Sequence, residues 1–407
     1  MTSATARPIT ILCGLVFLIG PLAAVARQGL VPLLFIALVT LAFVPEARAI
    51  WRVLHRAKLL LFAAPFLGWT LLSNLWSPTL QVGPWAQMAT ILLGAVLVAT
   101  GVAALNADAA QRLMKAALMG VLVLLVFLLE ESMTEAAVMS WARPEDVQQA
   151  DATFFSLIMS LAARGTAVLA LLSAVAAGGI YALTRSPLAV AAFILAGLAA
   201  CTRLPQTTSA LGFVAAIVAV VLVYARPRLF LGLMLAGLGV ALLAAGPAAR
   251  AIPDPNTLST ATNQLELGAQ HRLGIWRYVA DLSAEAPVIG HGYNSARYFA
   301  ARQDKLEGLG LPALPTHPHN VPLQIWLELG GVGALLAAVA VFGFWRGLQP
   351  VLARPLHAAL VAGLIAPAGM IAGFSFSVWS YWWLAALGFA ASLCALTMKL
   401  LPAKIAR

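Results

Sequence analysis

The chain has 407 residues, of which 62% are hydrophobic and 10% are charged, and its mean hydropathy is +0.92. Soluble domains carry about 25% charged residues, so this composition excludes a soluble, disordered or fibrous protein and indicates a polytopic membrane protein. In a membrane protein, a net charge of +10 indicates which loops lie on the cytoplasmic side rather than binding to nucleic acid, so we expect no nucleic-acid partner. The three cysteines lie in or beside apolar runs, which favours neither a disulfide framework nor a cysteine metal site.

Apolar runs of about 20 residues predict an all-α integral membrane protein with about 12 transmembrane helices. The first run ends in Ala24-Val25-Ala26, which resembles a signal-peptidase site, but a single basic residue, Arg7, precedes it, so we interpret it as a span. The predicted spans lie at roughly 9–26, 29–45, 59–76, 88–105, 113–129, 166–183, 187–201, 207–225, 229–248, 321–345, 356–374 and 379–401.

The loops between these spans fall into two charge classes. The two termini and the alternate loops hold fifteen Lys and Arg residues and two acidic residues, whereas ten basic and thirteen acidic residues lie in or next to the opposite loops. Basic residues collect on the cytoplasmic side, so both termini are predicted to be cytoplasmic and the long 250–320 segment to lie outside.

Three parts follow along the chain. Residues 1–249 hold transmembrane helices 1–9 with an acidic outer segment near 130–165, whose end, Phe154 to Ala163, is interpreted as an interfacial apolar helix. Residues 250–320 form an outer loop long enough to be functional, with a helical stretch from His271 to Ala284. Residues 321–407 hold transmembrane helices 10–12.

Four of the six histidines lie in that outer loop, and two of them, His317 and His319, directly precede the tenth span. Asn320 is a suitable N-cap for that span and Pro322 suits its first turn. The positive end of a helix disfavours imidazolium, so a histidine beside it stays neutral and can accept a proton, and the same end attracts phosphate oxygens.

Polar side chains continue into the tenth span, where Asn320, Gln324 and Glu328 share one face and are expected to meet a partner or a wet cavity. Arg203 ends the seventh span and Arg272 opens the outer helix. Guanidinium groups grip phosphate in a bidentate manner, so these two arginines are candidates for binding a diphosphate. Two further candidates are Arg297 and Arg302.

Each feature also has a plainer interpretation. A histidine at a span end is most often an interfacial residue, and His-x-His could be half of a zinc site with His291 or His271 as third ligand. Arginine near a span end commonly snorkels to lipid headgroups, and the polar stripe would serve a transporter equally well. The aromatic cluster at 379–383 is most simply an aromatic belt.

The arrangement of the motifs resembles the O-antigen ligase family, within a superfamily that includes O-antigen polymerases and bacterial protein O-oligosaccharyltransferases. The motifs that carry this resemblance are Leu72-Ser73-Asn74-Leu75-Trp76-Ser77-Pro78, Arg272-Leu273-Gly274-Ile275-Trp276-Arg277, Pro287-Val288-Ile289-Gly290-His291-Gly292-Tyr293, and His317-Pro318-His319-Asn320 followed by Glu328-Leu329-Gly330.

The resemblance implies a GT-C-like glycosyltransferase of the bacterial inner membrane, independent of metal and of any cofactor. Such enzymes transfer a glycan from undecaprenyl diphosphate to lipid A–core at the periplasmic face, among membrane lipids. Residue by residue, His319 matches the catalytic base, and Arg272 and Arg203 match the arginines that bind the diphosphate. Around Arg203 the chain has Thr202 and Leu204, where the family often has Ser and Gly. The supporting residues are His317, Asn320, Gln324, Glu328, Tyr293 and Arg297.

Three alternatives stay open at this point. An O-antigen polymerase would use similar chemistry, but polymerases tend to have two large basic outer loops, and here the earlier long loop is acidic. A protein O-oligosaccharyltransferase differs in its acceptor. A secondary transporter is expected to show related halves and broken helices, and the sequence contains no internal repeat.

Overall fold

A computed structural model describes residues 3–49, 58–142, 152–253 and 266–401 of the chain. The α-helices in this described part are α1 (Ser3–Val25), α2 (Leu30–Ala42), α3 (Lys58–Leu72), α4 (Val82–Ala104), α5 (Ala107–Met133), α6 (Ala137–Ala142), α7 (Ala152–Thr184), α8 (Pro187–Arg203), α9 (Thr207–Ala225), α10 (Pro227–Ala249), α11 (Leu267–Glu285), α12 (Ala296–Ala300), α13 (Val321–Leu348), α14 (Pro355–Phe374) and α15 (Tyr381–Leu400).

Nine helices within the described ranges are long and apolar enough to cross a membrane. Each of the twelve predicted apolar runs coincides with a helix, but α2, α3 and α8 have only 13, 15 and 17 residues. A helix rises about 1.5 Å per residue, so such lengths fall short of a bilayer core about 30 Å thick. The all-helical membrane architecture is confirmed, and the number of crossings stays a prediction.

The predicted interfacial helix at Phe154 to Ala163 is not a separate element. It forms the first part of α7, a single helix of 33 residues that continues through the predicted sixth span. No proline interrupts this stretch, and the backbone hydrogen-bond ladder therefore has no cause to break. The central part of the acidic segment, 143–151, lies outside the described residues.

Glycine residues allow several of the helices to pack closely. The closest approach joins α1 to α5, where a Cβ atom built on Gly20 would collide with the carbonyl group of Gly120, so only glycine permits this contact. Helix α9 packs against α14, with Gly212 facing Pro367 and Gly363 facing Ala216, which brings the first turn of α9 to the same end of the bundle as the last turn of α14.

The segment between α10 and α13 folds onto that same end of the bundle. Its described part contains helices α11 and α12 and a single isolated β-bridge between Lys305 and Pro312. A small apolar core beneath it joins Ile275 and Val279 of α11 to Phe299 of α12 and Leu323 of α13. The predicted helix from His271 to Ala284 is thus confirmed as the central part of α11.

Candidate functional site

Helix α13 is broken at Gly330, and the loop at 287–292 fills the break. Gly330 has φ 65° and ψ −166°, a conformation that is essentially restricted to glycine. The carbonyl groups of Leu327 and Glu328 accept hydrogen bonds from the amides of His291 and Gly292 at 2.9 and 2.8 Å. In return, the amides of residues 331 and 332 donate to the carbonyl groups of residues 287 and 288 at 2.9 and 3.1 Å.

These backbone groups at the break therefore find partners outside the helix. The third released carbonyl, that of Leu329, accepts from Trp69 Nε1 at 3.0 Å. The two backbones can approach this closely only because Gly290 and Gly330 lack a Cβ atom. A Cβ atom built on Gly290 would lie within 2.5 Å of Glu328 O, and a Cβ atom built on Gly330 would collide with Val288 O. This exchange fixes the outer loop to the membrane helix.

The motif at 72–78 joins the same junction. Trp76 Nε1 donates to the carbonyl of Gly290 at 3.1 Å, and Ser77 Oγ donates to the carbonyl of Tyr293 at 3.0 Å. The Tyr293 amide donates to Ser73 Oγ at 3.1 Å. The tyrosine ring is buried against Trp379, with the ring centroids 4.9 Å apart, so Tyr293 is a packing residue at the junction.

The Glu328 carboxylate organises the interior of this junction. It is fully buried and accepts hydrogen bonds from the amide of Asn294 at 2.8 Å, from Gln324 Nε2 at 3.0 Å and from Trp379 Nε1 at 2.5 Å. The interpretation of residues 379–383 as an aromatic belt is wrong for Trp379, Trp382 and Trp383, which are all buried. Periodicity cannot distinguish a lipid-facing aromatic from one that binds a buried carboxylate.

Gln324 holds the loop that connects α14 to α15. Its Nε2 also donates to Ser377 Oγ at 3.0 Å, and its Oε1 accepts from the amide of Val378 at 3.2 Å. Together with the hydrogen bond from Trp379 to Glu328, these contacts tie residues 377–379 to the first two turns of α13. The polar face predicted from the i, i+4, i+8 spacing therefore meets a partner, and Asn320 caps the helix by accepting from the amide of Leu323 at 2.9 Å.

The loop held in this way presents one carbonyl group to both candidate histidines. His319 Nδ1 lies 2.7 Å and His317 Nε2 lies 3.0 Å from the carbonyl oxygen of Ser375. A carbonyl can only accept, so both nitrogens carry hydrogens. Nδ1 of His317 is then the acceptor for the hydroxyl of Thr316 at 2.8 Å, and Nε2 of His319 keeps a free lone pair.

The backbone keeps His319 in this orientation. Its φ of 54° lies in the left-handed region, where histidine is one of the few tolerated non-glycine residues. Trp276 Nε1 of α11 donates to the carbonyl of Pro318 at 3.0 Å and fixes the segment between the two histidines. The two imidazole rings lie with their centroids 4.3 Å apart.

Burial lowers the pKa of His319 from 6.5 to about 4, because the charged ring would lose its hydration. Positive charge on His317, Arg272 and His271 acts in the same direction, and the hydrogen bond to Ser375 opposes it. Burial also lowers the pKa of His317, to which the charge of Arg297 contributes. Both rings are thus neutral near pH 7, as the sequence predicted from the helix terminus, although burial is the larger cause.

Two arginines lie close enough to influence this histidine pair, from different elements. Arg272 on α11 acts on His319, and Arg297 on α12 acts on His317. Both side chains are exposed. Arg297 and His317 line a polar cavity of about 510 Å³ together with residues of the 375–380 loop.

Arg203 has a different setting. It is the exposed last residue of α8, which packs on α5, α7 and α9, whereas the histidines precede α13. Helix α9 begins directly after α8, and its first turn lies at the same end of the bundle as Ser375. Arg203 therefore lies at the end of the bundle that holds the histidine pair. No hydrogen bond within the described residues joins its guanidinium group to the histidine pair.

The other two histidines of the segment bind backbone carbonyls elsewhere. His271 Nε2 donates to the carbonyl of Pro312 and His291 Nε2 to that of Leu282, both at 2.8 Å, and the His291 ring packs edge-on against Phe299. These contacts separate them from the pair at 317 and 319, so the four histidines form no common cluster. Within the described ranges, no group of three or more His, Cys, Asp or Glu side chains is placed to hold a metal.

Sequence reasoning missed the carbonyl of Ser375 and the polar lining contributed by Ser377 and Ser380. No motif could have identified Ser375, because every residue type offers the same backbone carbonyl. The sequence did contain one indication of this loop. Gln324 and Glu328 lie inside a span, and polar side chains buried there need hydrogen-bond partners, which a nearby polar loop can supply.

Fold and site together define a polytopic helical membrane protein with a neutral histidine pair flanked by arginines. Residues 204–338 match the family described as O-antigen ligase. Proteins named "Putative polysaccharide ligase" are 32% identical over 134 residues in Rickettsia typhi and in Rickettsia prowazekii, and 33% identical over 135 residues in Rickettsia bellii.

These matches cover 32% of this chain and span about a third, 33%, of the length of each relative. The resemblance to the O-antigen ligase family is confirmed over residues 204–338, the segment that carries His319, Arg272 and Arg297. Over these residues the chain is therefore similar to proteins named as polysaccharide ligases, and its described part forms a bundle of apolar helices.

Proposed function

We propose that this protein is a glycosyltransferase that moves O-antigen glycan from undecaprenyl diphosphate to the lipid A–core of lipopolysaccharide, at the periplasmic face of the inner membrane. The observation that carries the proposal is the free Nε2 lone pair of a neutral His319, next to arginine and at one end of a bundle of apolar helices. Transfer from an activated lipid-linked donor needs a base and an anion-binding group, and this site offers both.

His319 is proposed as the base. Its Nε2 accepts the proton of an acceptor sugar hydroxyl while the hydroxyl oxygen attacks the anomeric carbon of the donor glycan. The bond from that carbon to the diphosphate oxygen breaks with inversion, and its electron pair leaves with undecaprenyl diphosphate. The proton then passes to solvent. A bound diphosphate would offset the charge of Arg272, which lowers the pKa of His319 less than burial does, and would thereby raise the basicity of the ring.

Arg272 is proposed to bind the departing diphosphate, since its charge already acts on His319 and a guanidinium group matches two phosphate oxygens at once. Arg203 is proposed as the second diphosphate ligand, approaching from α8 at the same end of the bundle. The donor is activated by its own diphosphate, so the proposed GT-C-like mechanism uses neither nucleotide nor metal.

A place for the donor's hydrocarbon chain supports the assignment of Arg272. Trp276 lies one turn after Arg272 on the same face of α11. It lines an apolar cavity of about 220 Å³ together with residues of α10 and α13, among them Ala245, Ala249 and Leu323. The isoprene units next to the diphosphate, seated in this cavity, would bring the diphosphate to Arg272 and the sugar to the histidine pair.

The decisive experiment incubates purified protein with lipid-linked glycan and purified lipid A–core, then separates the products on a gel. A ladder of glycosylated lipid A–core is expected. Longer lipid-linked glycan formed without lipid A–core would instead indicate a polymerase, and a glycosylated polypeptide would indicate a protein O-oligosaccharyltransferase. Uptake of a labelled solute without glycan transfer would indicate a transporter.

The same assay tests metal independence. Transfer is expected to survive exhaustive chelation. Loss of transfer that zinc restores would revive the His-x-His metal site and would contradict the proposed mechanism.

A further inference from the structure

The polar cavity beside the histidine pair differs in character from the apolar one beside Trp276. It has a volume of about 510 Å³, within the range of about 300–1,000 Å³ that small-molecule sites occupy. Its polar walls come from the 294–297 turn, the 315–317 segment, α13 and the 377–380 loop. The polar residues among them are Asn294, Arg297, Thr316, His317, Gln324, Ser377 and Ser380. The hydroxyl groups among them can both donate and accept hydrogen bonds, which suits them to a sugar.

Arg297 gives this cavity a charge. Its side chain is exposed at the cavity wall, and no hydrogen bond or ion pair joins its guanidinium group to another residue in the described part of the chain. Two neighbours in sequence contrast with it: Asn294 Nδ2 is occupied by Gln81 Oε1 at 2.7 Å, and Arg302 lies over the rings of Tyr298 and Phe299. A neutral sugar in the cavity would leave the Arg297 cation without a counterion.

The position of the cavity favours the acceptor over the donor. His317 lines it, and the His317 ring lies 4.3 Å from that of His319, so a sugar held there lies next to the proposed base. Arg272 and Trp276 approach the histidines from α11 instead, and Trp276 lines the separate apolar cavity. The described residues therefore offer two distinct spaces near the proposed base, one polar and one apolar.

We propose that the polar cavity seats the acceptor sugar and that Arg297 binds an anionic group on that acceptor, either a phosphate or a carboxylate. This inference rests on the proposed function. It makes Arg297 a specificity residue for an acidic acceptor, while Arg272 and Arg203 serve the diphosphate of the donor.

The test is steady-state kinetics of the full-length protein in vesicles, with donor and acceptor varied in turn. Arg297→Gln is expected to raise the KM for lipid A–core by about tenfold or more, as expected for loss of a charge-assisted hydrogen bond, and to leave the KM for the donor within about twofold. Lys305→Gln removes the same charge from an exposed position of the same segment outside the cavity and is expected to change neither KM. An increase in donor KM alone, or no change in either, would overturn the proposal.

The acceptor itself identifies the anion. Phosphatase-treated lipid A–core and carboxyl-reduced lipid A–core are compared with the untreated lipid. Whichever treatment removes the relevant group is expected to raise the wild-type KM to that of Arg297→Gln and to have no effect on the variant. If neither treatment changes the wild-type KM, the acceptor brings no anion to Arg297 and the proposal is wrong.

Acceptor binding, measured without donor by thermophoresis of labelled protein, separates this proposal from the proposed function. If the wild type transfers glycan and both proteins bind lipid A–core equally, only the assignment of Arg297 fails. If the wild type transfers glycan to no acceptor, the proposed function fails. If wild type and variant then also bind lipid A–core equally, the assignment of Arg297 fails as well.

Discussion

His319 Nδ1 lies 2.7 Å from the carbonyl oxygen of Ser375, a residue 56 positions away in the loop between α14 and α15. This contact decides which ring nitrogen carries the hydrogen and leaves Nε2 as the acceptor. The loop is in turn held by Gln324 and by Trp379, the latter bound to Glu328. The proposed base is therefore oriented by polar groups inside the protein.

His319→Asn is expected to lower transfer by roughly 10²–10⁴-fold, the usual contribution of a general base. Asparagine tolerates the left-handed backbone of this position, so the protein should still fold and insert. His291→Asn is the matched control, because His291 binds the carbonyl of Leu282 and lies outside the pair. Wild-type transfer by His319→Asn would remove His319 as the base.

The acid limb of kcat/KM for the donor, which reports the enzyme before the donor binds, is expected near pH 4, because a base must be neutral and burial lowers the pKa of His319 to about 4. Transfer is present above this pKa and is lost as the pH falls through it. Arg272→Gln removes a positive charge that depresses this pKa, so the limb should move to higher pH. A wild-type limb near pH 6.5 would show that the imidazole is not desolvated.

Arg272→Lys is expected to lower kcat by roughly tenfold or more at saturating donor and acceptor, because an ammonium group cannot contact two phosphate oxygens in the fork geometry. Arg302→Lys serves as the control, since its guanidinium lies over aromatic rings away from the cavity. Equal kcat for Arg272→Lys and wild type would mean that Arg272 does not stabilise the leaving group.

Gly330→Ala is expected to destabilise the protein by about 1–3 kcal/mol or more and to lower transfer, because φ 65° with ψ −166° is strained for any side chain. The added methyl group would also push the 287–292 loop away from α13. Gly331→Ala is the control one residue later: its Cβ would lie 3.4 Å from Pro287 O, at the edge of ordinary contact. The midpoint of thermal unfolding in detergent is the measurement. Equal midpoints for the two variants would mean that the helix break at Gly330 does not require glycine.

Glu328→Gln is expected to lower the midpoint of thermal unfolding by roughly 5 °C or more, because one buried oxygen that accepts hydrogen bonds becomes an amide that donates them. Transfer should fall with it, since the loop that orients His319 loses its tether to Trp379. Glu307→Gln, an exposed carboxylate on the same segment, is expected to change neither quantity. An unaltered midpoint for Glu328→Gln would mean that the carboxylate is not needed as an acceptor.

Much of the candidate site could be predicted because its residues are close together in the chain. His317, His319, Asn320, Gln324 and Glu328 lie within twelve positions, where helix capping and a 3.6-residue period decide what faces what. The aromatic residues at 379–383 were misinterpreted because the partner of Trp379 is 51 positions away. Arg203 stays a prediction, since its relation to the histidines depends on how α8 sits beside helices far from it in sequence.

The amino-acid sequence by itself determined that this chain forms apolar helices, that its candidate site residues collect mostly in one late segment, and that this segment resembles the O-antigen ligase family. Those conclusions depend on composition, charge and short-range spacing, which act within a few turns of helix. Only the tertiary structure decided that Ser375 sets the tautomer of His319, that α13 breaks to receive the 287–292 loop, and that Arg297 faces a polar cavity. Each of these depends on backbone groups and empty space, which no residue type encodes.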